Sequence, residues 1–237
     1  SPAALNIAKK LPTTTDPCGQ VQYEVSQGQK EYMPVAKVDY QMTADQLIFG
    51  RYLGDKVAVP APWTGPGDNI LKTGSAGQND MMHAVVLGDT HVLSATMVNA
   101  ARFSYNSTNS HRFQNPGFFS PADVGVKMYS YPTYATGTAA SQFPLTVTNA
   151  FTFEAGSATE RSSNHHTYAL SDDVTKVRGA HQLGVGATVR RWKFNTRSTS
   201  RTGGSWTVDG SLTGLSMADF LTGRVARLEI GGPSILD

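Results

Sequence analysis

What most constrains this chain is a rhythm of connections, in which tight polar turns alternate with long stretches that carry no pattern. Val38, Tyr40 and Met42 alternate with Lys37, Asp39 and Gln41, the period of two that marks a strand. After Thr43-Ala44-Asp45, the run Leu47-Ile48-Phe49-Gly50-Arg51-Tyr52-Leu53 reads as the returning strand of a hairpin. A second hairpin joins residues 82–92 to residues 98–106 through Leu93-Ser94-Ala95-Thr96. A third joins residues 167–176 to a strand from Gln182 through Val177-Arg178-Gly179-Ala180. Between the hairpins lie residues 54–79, rich in Gly, Pro and Asp, and residues 107–141, rich in Asn, Ser, Pro and aromatics. Connections of that length are uncommon in compact domains. Short turns on one side and long loops on the other describe an outer-membrane barrel. The fold class expected is therefore all-β, an antiparallel β-barrel segment with short periplasmic turns and long extracellular loops.

The last strand carries the clearest two-sided pattern. Leu183, Val185, Ala187 and Val189 form an aliphatic face and are expected to face lipid. Gln182, Thr188 and Arg190 alternate with them and are expected to face a polar lumen. His83, Asp89 and His91 share one face of an earlier strand, at i, i+6 and i+8, and are also expected to line the lumen. A sandwich strand with one wet face would give the same alternation. Residues 143–153 also alternate and read as a strand. If the turns near Ala95 and Gly179 lie on the same side, this segment is not a lone extra span; it is an arm folding over the barrel mouth. Tyr40, Phe49, Tyr52, Phe103, Tyr105, Trp192 and Phe194 gather toward strand ends, as an interfacial girdle or as ordinary cross-strand packing.

Composition narrows the function classes. Only 16% of the residues are charged and 23 of the 237 are glycine, which suits a sheet between an apolar and a polar medium, or a secreted β protein. A formal net charge of +2 without a basic stripe argues against a nucleic-acid partner. The lone Cys18 supplies neither a disulfide framework nor paired thiols for zinc. No run of about 18 apolar residues forms a transmembrane helix, and the opening Ser1-Pro2-Ala3-Ala4-Leu5 is not a signal peptide. Residues 1–34 read as an irregular lead-in, 35–210 as strands and loops, and 211–237 as a short helical turn and tail. The helical turn is Met217-Ala218-Asp219-Phe220-Leu221, with Ser216 as its N-cap.

No constellation for catalysis is legible, and no enzyme, cofactor or metal is expected. His165 and His166 are adjacent and so point to opposite faces of a strand, which makes a shared metal with Asp172 and Asp173 unfavourable. No nucleophile elbow, zinc-binding H-E-x-x-H or phosphate-binding G-x-x-x-x-G-K occurs. Gly184-Val185-Gly186 lies within a strand and opens no helix. Asn106-Ser107-Thr108 matches a glycosylation sequon, a pattern common by chance.

Val38-Asp39-Tyr40-Gln41 followed by Ile48-Phe49-Gly50-Arg51-Tyr52 resembles the first barrel hairpin of Oar-like TonB-dependent receptors. Leu87-Gly88-Asp89-Thr90 with Ser94-Ala95-Thr96-Met97-Val98-Asn99 is similar to the second. Ser171-Asp172-Asp173, Lys176-Val177-Arg178-Gly179-Ala180-His181-Gln182-Leu183 and Arg190-Arg191-Trp192 resemble the next. Gly204-Ser205-Trp206-Thr207-Val208-Asp209-Gly210 and Ala218-Asp219-Phe220-Leu221-Thr222-Gly223 are similar to the segment after it. The likeness is collinear over nearly the whole chain. It implies a barrel of roughly 22 strands that takes up a siderophore- or nutrient-type substrate, sits in outer-membrane lipid at the bacterial cell surface, and is driven by a TonB-type energy-coupling protein. The plug and TonB box of that family are not in this sequence. The competing reading is a β-rich extracellular structural protein that assembles into filaments by self-association through open strand edges. The two readings differ in what covers the aliphatic face of Leu183, Val185, Ala187 and Val189.

Overall fold

A computed structural model describes residues 1–129, 131, 142–155, 161–199 and 201–232. In chain order its strands are β1 (Lys30–Tyr32), β2 (Val35–Thr43), β3 (Gln46–Val59), β4 (Gly77–Ser94), β5 (Met97–Phe113), β6 (Phe143–Val147), β7 (Phe151–Ala155), β8 (Arg161–Arg178), β9 (His181–Ser198), β10 (Ser205–Val208) and β11 (Arg227–Glu229). Two helices, α1 (Pro2–Ala8) and α2 (Ser216–Thr222), flank them. Seven strands form one antiparallel sheet in the order β1-β3-β4-β5-β8-β9, with β2 also on β3. The other four form a small sheet, β11-β10-β6-β7, in which β10 runs parallel to β6.

The three tight turns all lie at one end of the large sheet. Each leaves two residues unpaired: Ala44-Asp45, Ala95-Thr96 and Gly179-Ala180. They share an end because Gln46 stands opposite His91 and Met97 stands opposite Lys176. Gly179 has φ +58, a left-handed conformation that glycine adopts without Cβ strain. Every long connection emerges at the other end, where the small sheet and both helices collect.

Edge pairing is broken once. Tyr32 pairs with Lys56 and Val35 with Leu53, so β1 and β2 continue one line interrupted at Met33-Pro34. Pro34 has no N–H to give the ladder, but its carbonyl still accepts from the Gly54 amide at 2.9 Å.

The strands outrun the sequence reading at the long-connection end. β4, β8 and β9 have 18 residues each and β5 has 17. Segments expected to be loop, such as residues 107–113, are ladder, because pairing needs only backbone groups and polar side chains on both faces leave no hydrophobic period. Residues 143–153 hold two strands around Asn149, at φ +61, and lie outside the large sheet; β5 pairs directly with β8. The lead-in contains α1 and β1, and the tail contains β11 as well as α2. Leu215, not Ser216, is the N-cap of α2, and the Ser216 hydroxyl donates to the Thr148 carbonyl instead.

The packed core sits wholly in this second region. Ile7 of α1, Phe143, Leu145 and Val147 of β6, Phe153 of β7, Val208 of β10 and Phe220 of α2 are buried, together with Trp63, Ile70, Phe118 and Val124. Phe153 meets Phe143 edge-on at 5.6 Å and Phe118 at 5.8 Å between ring centroids. Among the described residues, no fully buried hydrophobic side chain belongs to the seven-stranded sheet. The molecule is thus a cored cap on one end of a sheet that has no core of its own.

Asp68 pins the cap's connection between β3 and β4. Burial pushes its carboxyl up, but the Thr64 amide, Lys72 at 3.0 Å, the Asn69 amide and the Thr64 hydroxyl outweigh that and hold it at about 2. Because the folded value is depressed, this stabilisation is complete above the unfolded value of about 3.9 and is lost as pH falls through about 2. Hydrogen exchange over residues 60–76 should accelerate across that window, and Asp68→Asn should abolish the pH dependence. Phe153→Ala should cost the cap about 3–5 kcal/mol, read as exchange in β6 and β7 faster by about a hundredfold or more with β4 and β5 unchanged.

Candidate functional site: the two faces of the sheet

Residues directly opposite in an antiparallel sheet point to the same side. The registers linking β3, β4, β5, β8 and β9 run without interruption between the turns, so one assignment extends across all of them. One row reads Val38, Gly50, Leu87, Phe103, Leu170 and Val189. This is an apolar face, and it is open: Val185 is 77% exposed, Val189 72% and Leu170 58%. On the opposite face one row reads Lys37, Arg51, Val86, Ser104, Ala169 and Arg190, and the next reads Asp39, Phe49, Gly88, Arg102, Ser171 and Thr188. That face carries ion pairs, Lys37–Asp39 at 2.8 Å and Arg102–Asp173 at 3.9 Å. Phe49 lies across Gly88, where a Cβ would come within 2.1 Å of its ring, and Lys37 stands 5.6 Å over the same ring.

The six residues expected to line one lumen divide between the faces. Gln182, Thr188 and Arg190 are on the polar face. His83, Asp89 and His91 share the apolar face with Leu183, Val185, Ala187 and Val189. Alternation within a strand follows from the sequence, but agreement between strands depends on register, and a slip of one residue reverses it. Each of these polar groups near the apolar rows has a neighbour that answers it, or sits at the margin. Asp89 accepts from the Gln46 amide at 3.0 and 3.1 Å, and Asp172 accepts from the Asn99 amide at 2.6 Å.

His83 belongs to a repeated device that the sequence did not reveal. Tyr52, Val85, Tyr105, Tyr168 and Arg191 form one row of the apolar face, and His83, Ser107, His166 and Lys193 lie in the next row toward the cap. Tyr52 and His83 are hydrogen-bonded at 2.8 Å, and Tyr105 and His166 repeat the pair two strands on, at 3.0 Å. Tyr105 and Tyr168 pack with centroids 5.0 Å apart. From the tyrosine row to the short turns, β5 runs from Tyr105 to Met97, about 27 Å along the strand. A tilt of about 40° reduces that to about 20 Å, close to the depth of a barrel's apolar band of about 25 Å. The seven aromatics noted from sequence are therefore not one girdle: Tyr40, Tyr52, Phe103 and Tyr105 are on the apolar face, and Phe49, Trp192 and Phe194 on the polar one.

The adjacent histidines do point apart. His165 is on the polar face, 3.1 Å from the Ser163 hydroxyl and edge-on to Phe194 at 4.2 Å. Among the described residues no three His, Cys, Asp or Glu side chains converge as a metal site. Tyr52→Phe and Tyr105→Phe should each cost about 0.5–1.5 kcal/mol, read as urea midpoints of protein in lipid vesicles. Tyr40→Phe, on the same face but without a hydrogen bond among the described residues, should be neutral.

A family model described as an outer membrane beta barrel domain matches residues 1–234. No curated protein and no solved structure matches the chain. An open apolar face backed by a polar one, hairpins turned tightly at one end only, and a match over nearly the full length agree: the chain belongs to the outer membrane beta barrel domain family and resides in the bacterial outer membrane.

Proposed function

We propose that this chain forms part of the wall of a TonB-dependent transporter that takes up a siderophore- or nutrient-type substrate, and that its role is transport rather than catalysis. The observation that carries the reading is the division of the sheet into an uncovered apolar face and a polar, ion-paired face in one continuous register. The apolar face meets lipid, and the polar face meets the aqueous interior. The short turns are periplasmic, and the cap built around Phe153 stands at the extracellular mouth. The collinear likeness of the hairpins to Oar-like receptors supports the transporter class specifically. Free edges do not persist in a bilayer, so in this reading the outer edges of β2 and β9 pair with further strands of the same wall.

Two measurements test it. Single nitroxides placed through β8 and β9 of the whole protein in bilayers should alternate, with Leu170 and Val189 sites relaxed by oxygen and Ser171 and Thr188 sites by a water-soluble nickel chelate. Loss of alternation would reject the face assignment. Cells that depend on the full-length protein for a scarce nutrient should lose its uptake when the TonB-type coupling protein is removed. Unchanged uptake would leave a barrel in the outer membrane and reject the energised transporter.

A further inference from the structure

We infer that Arg191 and Lys193, with His166 and Tyr168 beside them, form a site on the lipid side of the sheet for the headgroup of an anionic, phosphate-bearing membrane lipid. The inference rests on the face assignment proposed above. Arg191 stands directly opposite Tyr168 and Lys193 directly opposite His166, so the four share the apolar face across β8 and β9. The two cations are two residues apart, about 7 Å along the strand, close enough for one headgroup to meet both.

Depth and charge choose the occupant. The tyrosine row marks where hydrocarbon gives way to headgroups, since Tyr concentrates at that boundary. Arg191 lies in that row and Lys193 in the next, toward the cap. Toward the turns the same strand presents Val189, Ala187 and Val185, a surface for acyl chains. Both cations are exposed, and among the described residues neither is in an ion pair. Their neighbours in these two rows, Tyr105, Ser107, Tyr168 and His166, include no carboxylate. An unneutralised guanidinium and ammonium at headgroup depth, over an aliphatic strip, complement a phosphate attached to chains. Arg supplies the planar fork that phosphate accepts bidentately, and Lys adds a point charge. The Tyr105–His166 hydrogen bond fixes the imidazole beside Lys193.

The test uses the whole protein in phosphatidylcholine bilayers doped with spin-labelled phosphatidylglycerol or spin-labelled phosphatidylcholine, comparing the motionally restricted fraction of each. Wild type should select phosphatidylglycerol, and Arg191→Ser with Lys193→Ser should remove about fivefold or more of that selectivity. Arg190→Ser, one residue away on the polar face, should leave it intact. Equal retention of the two lipids by wild type, or selectivity untouched by the double variant, would overturn the site. So would binding of inorganic phosphate without lipid selectivity. A nitroxide at Ala187 separates the two ways of failing: a water-exposed label rejects the face assignment, whereas a lipid-exposed label without headgroup selectivity rejects this inference alone.

Discussion

Backbone hydrogen bonding holds the large sheet together, and buried apolar packing does not. Its long ladders satisfy the N–H and C=O groups of β3, β4, β5 and β8 on both sides. Its apolar side chains, from Val38 to Val189, find no partner layer among the described residues. In water such a surface would be a heavy liability, because the favourable term in folding is removal of apolar area from solvent. In a bilayer the hydrocarbon is the partner layer, and the requirement passes to the backbone, which must be fully paired wherever lipid touches it. Long uninterrupted registers meet that requirement.

The cap follows the opposite rule. Phe118, Phe143, Phe153, Trp63 and Val147 interlock as in a water-soluble domain, with aromatic contacts mostly edge-on or tilted. Carboxylates there serve turns: Asp68 gathers Thr64, Asn69 and Lys72, and Asp123 receives the Ser120 amide and hydroxyl, which hold its carboxyl below the ordinary range. One chain therefore combines two solutions to folding, joined where the ladders of β4 and β5 run past the tyrosine row into Ser- and Asn-rich sequence.

Much of this was legible in the residues. The two-residue turns at Ala44, Ala95 and Gly179, the strands meeting them and the aliphatic face of β9 follow from period-two patterning beside turn-forming residues. The sequence was silent where no side-chain period exists. The polar ends of β4, β5 and β8 look like loop although they are ladder. The helix α1 is one short segment whose only signals, Ala4 and Ile7, acquire meaning when the core they enter is known. The placing of His83, Asp89 and His91 with Gln182 and Arg190 failed for a different reason. It compared faces of strands three places apart in the sheet, and that comparison requires the summed registers of every pair between them.

The same summation limits how such a wall can change over generations. A single inserted or deleted residue inside β4 or β8 would turn the rest of that strand over, putting Val86 or Gly88 in the place of Leu87, or Ala169 or Ser171 in the place of Leu170. Length can drift within a strand only in steps of two, or by means of a bulge like the ones beside Thr43 and Ser94. The stretches between β3 and β4 and between β5 and β8 carry no such parity. Novelty by insertion is therefore channelled to the cap end, where the chain meets whatever arrives from outside, while the membrane-depth lattice tolerates substitution and resists frame shifts.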